Sequence, residues 1–147
     1  MDKVIVKVKG QQTDAAGETS RIELIAEGRH YYRNGWHYVL YEDHMAEDVD
    51  DTSTILKIAP DTMVLLRNGS VSQEQRFAAA QESTSVYRTP YGNLDLSVKT
   101  DRIAIVYGTV SGNIDVDYAM SINGKWQSRN ELHIEISAAE EETSRLN

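Results

Sequence analysis

The stretch Ile114-Asp115-Val116-Asp117-Tyr118-Ala119-Met120-Ser121-Ile122, followed by Asn123-Gly124 and then by Leu132-His133-Ile134-Glu135-Ile136, decides the fold class. In both halves the even positions are apolar or aromatic and the odd positions are polar or small. A period of two puts one set on a buried face and the other in water, as antiparallel sheets do. Asn123-Gly124 marks the turn between them, because both residues accept the positive φ of a tight hairpin. A two-residue loop would pair even with odd positions and turn Leu132 outward. A three-residue loop, Asn123-Gly124-Lys125, pairs Ile122 with Trp126 and Val116 with Leu132, so that the apolar faces coincide. A bulge within 127–130 would have the same effect.

The same period runs outward through the chain. Val4, Val6 and Val8 alternate with Lys3, Lys7 and Lys9, and Ile22, Leu24 and Ala26 with Arg21, Glu23 and Glu27. Residues 36–41, 54–59, 63–66, 83–89, 94–100 and 103–110 are further strand candidates. Asn34-Gly35 and Asn68-Gly69 read as hairpin turns. The segment 72–81 fits a helix with a Ser72/Gln75 capping box as well as it fits a strand leaving the Asn68-Gly69 turn. No repeat or linker divides the chain, so one domain is expected over 1–137, followed by an acidic tail, 138–147, without an apolar stripe. Consecutive hairpins with no covering helix point to an all-β, antiparallel up-and-down β-barrel of eight or more strands. Closure removes the exposed edges, and a barrel of about eight strands is just wide enough to be filled by side chains or to hold one small ligand.

The 147 residues contain no cysteine and carry a net charge of −8. Disulfides, thiolate zinc sites and a cysteine nucleophile are excluded, and the acidic field opposes binding to nucleic acid or anionic membranes. The alternating Val/Lys start is not a signal peptide, and no apolar run approaches the roughly 20 residues of a membrane helix. A cytoplasmic location is expected. There is no nucleophile elbow, no phosphate-cradling glycine loop and no zinc helix, so no catalytic residue, no cofactor and no metal site is assigned, and an enzyme is not the favoured reading. The carboxylate-rich run 42–51 lacks the glycine that a calcium loop needs and reads as a solvated connection. His30 and His37, of opposite parity across Asn34-Gly35, are expected on opposite faces and form no metal-binding pair.

Val39-Leu40-Tyr41-Glu42-Asp43, Leu56-Lys57-Ile58, Arg67-Asn68-Gly69, Gln75-Arg76-Phe77, Tyr87-Arg88-Thr89-Pro90-Tyr91-Gly92 and Ile114-Asp115-Val116-Asp117-Tyr118 follow in an order that resembles the YwiB-like family of bacterial proteins. That family is of unknown function and has a lipocalin-like (calycin-like) β-barrel. The resemblance spans about residues 4–136. It implies a barrel, favours the strand reading of 71–77 and implies no activity.

Polar groups in phase with apolar faces are the candidate site. If a three-residue Asn68-Gly69-Ser70 loop lets Arg67 face Val71, then Leu65 faces Gln73, and Arg67, Gln73 and Gln75 share a face with Phe77. Tyr118 lies inward with Ile114, Val116 and Met120; Tyr41 and Tyr87 fall in the segments that match the family. Tyr41, Arg67, Gln75, Tyr87 and Tyr118 are therefore expected to project into one polar region inside the barrel. Such a cluster is either a structural hydrogen-bond network or an anchor for a small, partly apolar, anionic molecule. The competing reading is a filled barrel that works through protein–protein contact or self-association by Tyr31, Tyr32 or Trp36. A third, an enzyme using carboxylates on the rim, has no motif behind it.

Overall fold

The structure is a computed structural model and describes residues 1–43, 52–69 and 72–139. The candidate loop at 44–51, Val71 and the tail from 140 onward lie outside the described residues. Ten antiparallel strands form a single sheet: β1 (Asp2–Asp14), β2 (Thr19–Arg33), β3 (Trp36–Asp43), β4 (Thr52–Ile58), β5 (Thr62–Asn68), β6 (Gln73–Ala78), β7 (Glu82–Thr89), β8 (Gly92–Tyr107), β9 (Gly112–Ile122) and β10 (Lys125–Ala138). Their order is β6-β5-β4-β3-β2-β1-β10-β9-β8-β7, a meander in which every neighbour is consecutive except β1 and β10, which pair to bring the two halves together. The seam between β6 and β7 carries one backbone bridge, Ser72 to Arg88, so the barrel is nearly closed. No helix is present among the described residues, and the helical alternative for 72–81 gives way to β6 and a turn at Ala80, which takes a positive φ of 61°.

Local chemistry explains the register. Asn34-Gly35 and Asn123-Gly124 both have positive φ at both residues, as two-residue hairpins require. The second of these corrects the loop length: Lys125 pairs with Ile122, so the loop has two residues. A bulge between Trp126 and Ser128 then restores the pairing of Leu132 with Val116. The alternative of a bulge is the one realised. A second bulge, between Thr100 and Arg102, joins the expected strand 94–100 to the first part of 103–110 in one strand, β8, which ends at Tyr107. It shifts the phase by one residue, so Leu96, Val98 and Thr100 face inward before it and Ile103 and Ile105 after it. Arg67 pairs with Gln73, not Val71, and Leu65 with Gln75, because the β5–β6 connection is longer than three residues. The shared face of Arg67, Gln73, Gln75 and Phe77 survives, since the slip is by two residues.

The core occupies one end of the barrel. Val4, Val6, Leu56, Ile58, Met63, Ile114, Ile134 and Ile136 are at most 1% exposed there. Towards the other end the inward positions of the same strands, Leu24, Leu65, Met120 and Leu132, are only partly buried.

Candidate functional site

The open end encloses a cavity of about 460 Å³. Its wall is mostly aliphatic and aromatic, with Val8, Leu24, Leu65, Phe77, Val98 and Met120 among its residues. The polar exceptions are Gln12, Gln73 and Gln75, the three tyrosines Tyr41, Tyr87 and Tyr118, and Arg67, which among the described residues is the one charged side chain in the lining. Ile22 and Leu94, 47% and 37% exposed, stand at the mouth.

All five sequence-derived site residues, Tyr41, Arg67, Gln75, Tyr87 and Tyr118, thus line one cavity. Strand pairing explains how. Tyr41, Thr54, Arg67 and Gln73 are successive register partners across β3 to β6 and form one polar row on the inner face. Gly28 makes room for Tyr41: a Cβ there would come within 2.7 Å of the Leu40 carbonyl and 3.4 Å of the Tyr41 side chain. Across the seam, Ser85 Oγ donates to Gln75 Oε1 at 3.0 Å, and Gln75 Nε2 donates to the Arg76 carbonyl at 3.2 Å. The Gln75 side chain thereby joins β6 to β7 where the backbone ladder is missing. Tyr118 meets Phe77 edge to face with ring centroids 5.1 Å apart. Burial raises the Tyr118 pKa, so its hydroxyl remains a donor at neutral pH.

A second polar row was not anticipated. Thr100, Tyr118, Asn130 and Gln12 are register partners across β8, β9, β10 and β1. Asn130 is 6% exposed, and its Nδ2 donates to Ser128 Oγ at 3.0 Å. Thr54 Oγ1 and Thr100 Oγ1 are buried and have no hydrogen-bond partner among the described residues. After the bulge at 126–128, Ser128 pairs with Met120 and Asn130 with Tyr118, which puts both on the inward face.

The histidines correct a second expectation. Arg33 pairs with Trp36, so His30 pairs with Val39 and His37 with Tyr32. A two-residue turn pairs odd with even positions, which places His30 and His37 on the same face. At the closed end His30 Nδ1 lies 2.8 Å from Asp2 Oδ2 and His30 Nε2 lies 2.9 Å from His37 Nδ1. Because a carboxylate only accepts, the Nδ1 of His30 carries a proton towards Asp2. The Tyr107 ring stacks on both imidazoles, at 5.7 and 4.0 Å, and its hydroxyl donates to the Val110 carbonyl. Desolvation, then the charge of His30, lowers the His37 pKa; burial, then Asp2, raises that of Tyr107. No group of three metal-ligating side chains occurs among the described residues. The cluster is a plug. Of the side chains expected to serve self-association, Tyr31 stacks on Tyr38 and Trp36 lies under the Lys57 ammonium, while Tyr32 packs its ring against His37.

Among the described residues no helix is long and apolar enough to cross a membrane. The chain is 25% identical over 119 residues to an uncharacterised β-barrel protein, YwiB, of Bacillus subtilis (strain 168), covering 80% of this chain and 82% of that one. The crystal structure of the ywiB protein from Bacillus subtilis superposes with a TM-score of 0.84 at 22% identity, covering 95% of this chain and 93% of that one. Residues 6–134 match the model of the domain of unknown function DUF1934, and the chain belongs to that family of uncharacterised β-barrel proteins.

Proposed function

We propose that the protein is a non-enzymatic barrel that binds a small, partly apolar, anionic molecule in the cavity at its open end. The observation that carries this reading is the lining itself. A cavity of about 460 Å³ falls in the range of small-molecule sites, and among the described residues its wall combines an apolar body with the cation Arg67. Arginine matches a carboxylate with two parallel N–H donors, and the tyrosine hydroxyls offer further donors. An anion in the cavity has the Arg67 guanidinium within the lining, although the chain as a whole is acidic.

Native mass spectrometry of freshly purified protein tests for a retained ligand, and titration calorimetry with decanoate tests the chemistry. Decanoate is expected to bind with one-to-one stoichiometry, more tightly than 1-decanol. Arg67→Met is expected to abolish decanoate binding while the variant still unfolds cooperatively. If decanol binds as well as decanoate, or Arg67→Met leaves decanoate binding intact, the anion-binding reading fails.

A further inference from the structure

The barrel wall has one junction unlike the rest. From β6 round to β7, every neighbouring pair of strands is joined by a ladder of paired residues. Between β6 and β7 themselves, consecutive in the chain, the described residues form a single bridge, Ser72 with Arg88. We propose that this seam is a side gate through which the ligand enters and leaves the cavity, with the Gln75–Ser85 hydrogen bond as its latch. The inference rests on the reading of the cavity as a ligand site and adds the route by which that site fills.

Three observations carry it. First, the seam is pinned at both ends and unpaired between. At one end Ser72 and Arg88 exchange two backbone hydrogen bonds, of 3.0 and 2.9 Å. At the other end the Gln81 N–H donates to the Ala78 carbonyl, and Ala80 and Gln81 are tied to Thr100 of β8. In an antiparallel pair every second residue points its N–H and C=O to the same side. Glu74 and Arg76 on β6, and Thr84 and Val86 on β7, therefore direct theirs into the seam as Ser72 and Arg88 do, yet no backbone bond joins these strands there among the described residues. Second, the link across the gap is made by side chains. Ser85 Oγ donates to Gln75 Oε1 at 3.0 Å, and Gln75 Nε2 donates to the Arg76 carbonyl at 3.2 Å, so one buried amide covers part of the unpaired edge. Parting two strands elsewhere in the wall breaks a whole ladder of backbone bonds. Parting these two breaks one side-chain bond, so the wall yields here first. Third, the cavity lies directly behind the seam. Gln73, Gln75 and Phe77 of β6 and Tyr87 of β7 line it, and Arg67 is the register partner of Gln73. A carboxylate that passes the seam is one strand away from the guanidinium.

A gate sets the barrier to entry and exit alike, so loosening it changes both rate constants by one factor and leaves the affinity where it was. Ser85→Ala removes the latch donor, and Ser85 is outside the cavity lining. Stopped-flow fluorescence with cis-parinarate, a fluorescent apolar carboxylate, follows both steps on the full chain. Association and dissociation are both expected to quicken about fivefold, the kinetic equivalent of one hydrogen bond, with Kd held within about twofold. A second variant closes the seam instead. Glu74 and Val86 continue the register of the Ser72–Arg88 bridge, stand outside the cavity lining, and belong to a chain with no cysteine of its own. A disulfide formed by oxidised glutathione in Glu74→Cys/Val86→Cys is expected to slow both steps by about tenfold or more, and dithiothreitol to restore them. Ser85→Ala carries the test if that disulfide does not form. Unchanged rates in either variant, with binding intact, put entry at the mouth and overturn the gate alone. A change in dissociation without one in association makes Ser85 part of the binding site and also overturns the gate. No binding of cis-parinarate to the unaltered chain overturns the cavity reading and the gate together.

Discussion

The two ends of the barrel are built from the same strands and treat their polar groups in opposite ways. At the closed end Asp2, His30 and His37 hydrogen-bond one another, Tyr107 is bonded to a backbone carbonyl, and aliphatic side chains fill the remaining space. At the open end the inward polar groups, Gln12, Gln73, Gln75, Arg67 and the tyrosines, line empty volume. Buried polar groups packed against one another rigidify a fold, whereas polar groups that line a cavity can also meet a ligand. Stability and recognition are thus separated along one barrel axis. The same strand register brings Arg67, Gln75 and Tyr118 into the lining of the cavity.

Truncating the same strand at each end should expose the difference most plainly. Ile134→Ala removes a side chain that is 1% exposed in the filled end and is expected to cost about 2–5 kcal/mol. Leu132→Ala, two residues earlier on β10, enlarges a cavity that already exists and is expected to cost no more than ~1.5 kcal/mol. Chemical denaturation of both variants measures the contrast, and equal losses would mean that the open end is as tightly packed as the closed one.

Glycines sharpen the comparison at smaller magnitude. A Cβ on Gly112 would fall inside the Tyr107 ring, which is stacked between neighbours and has nowhere to go. Gly112→Ala is expected to cost about 1–3 kcal/mol through overpacking and to alter the tyrosine near-ultraviolet circular dichroism. On β1 at the open end, a Cβ on Gly10 would come within 3.0 Å of the Ile22 side chain, which is 47% exposed and free to rotate outward. Gly10→Ala is expected to change stability by less than about 0.5 kcal/mol, as ordinary surface substitutions do. A Gly10→Ala loss equal to that of Gly112→Ala would show the mouth to be rigid.

The alternation of apolar residues made the barrel legible, because a period of two has few other physical meanings, and the Asn-Gly pairs located its hairpins. The face shared by Arg67, Gln75 and Phe77 was legible for the same reason, and it survived a wrong loop length because a slip of two residues preserves parity. Parity also hid what was missed. The bulge at 100–102 changes phase inside a strand without any glycine or proline to mark it, so the continuity of β8 left no local signal, whereas the bulge at 126–128 was demanded by the need to face Leu132 with Val116. The turn at Ala80 uses a residue that seldom adopts positive φ, which left the helix and strand readings of 72–81 evenly matched. The pairing of His30 with His37 was readable from the two-residue turn, since opposite parity across such a turn means a shared face.

The smallest effect is a dependence on pH that should differ between the two ends. Burial and His30 hold the His37 pKa below its ordinary value near 6.5. Above pH 6.5 the imidazole is neutral in the folded and unfolded chain alike, and the plug is at full strength. As the pH falls through 6.5 the unfolded chain takes up the proton first, so the folded state loses stability down to the lowered folded pKa and no further. The Tm is therefore expected to be flat above pH 6.5 and to decline towards pH 5, with a shallower decline in His37→Gln, whose amide keeps a polar partner for His30 Nε2. At the open end burial raises the Tyr118 pKa above its ordinary value near 10. Decanoate affinity is accordingly expected to be constant between pH 7 and pH 9, as measured by calorimetry on the unaltered chain. A decline in Tm of the same slope in His37→Gln would remove the histidine from the account and leave acid-induced loss to the carboxylates elsewhere. A fall in affinity above pH 8 would mean that Tyr118 ionises early and is less buried than its place between Phe77 and Asn130 requires.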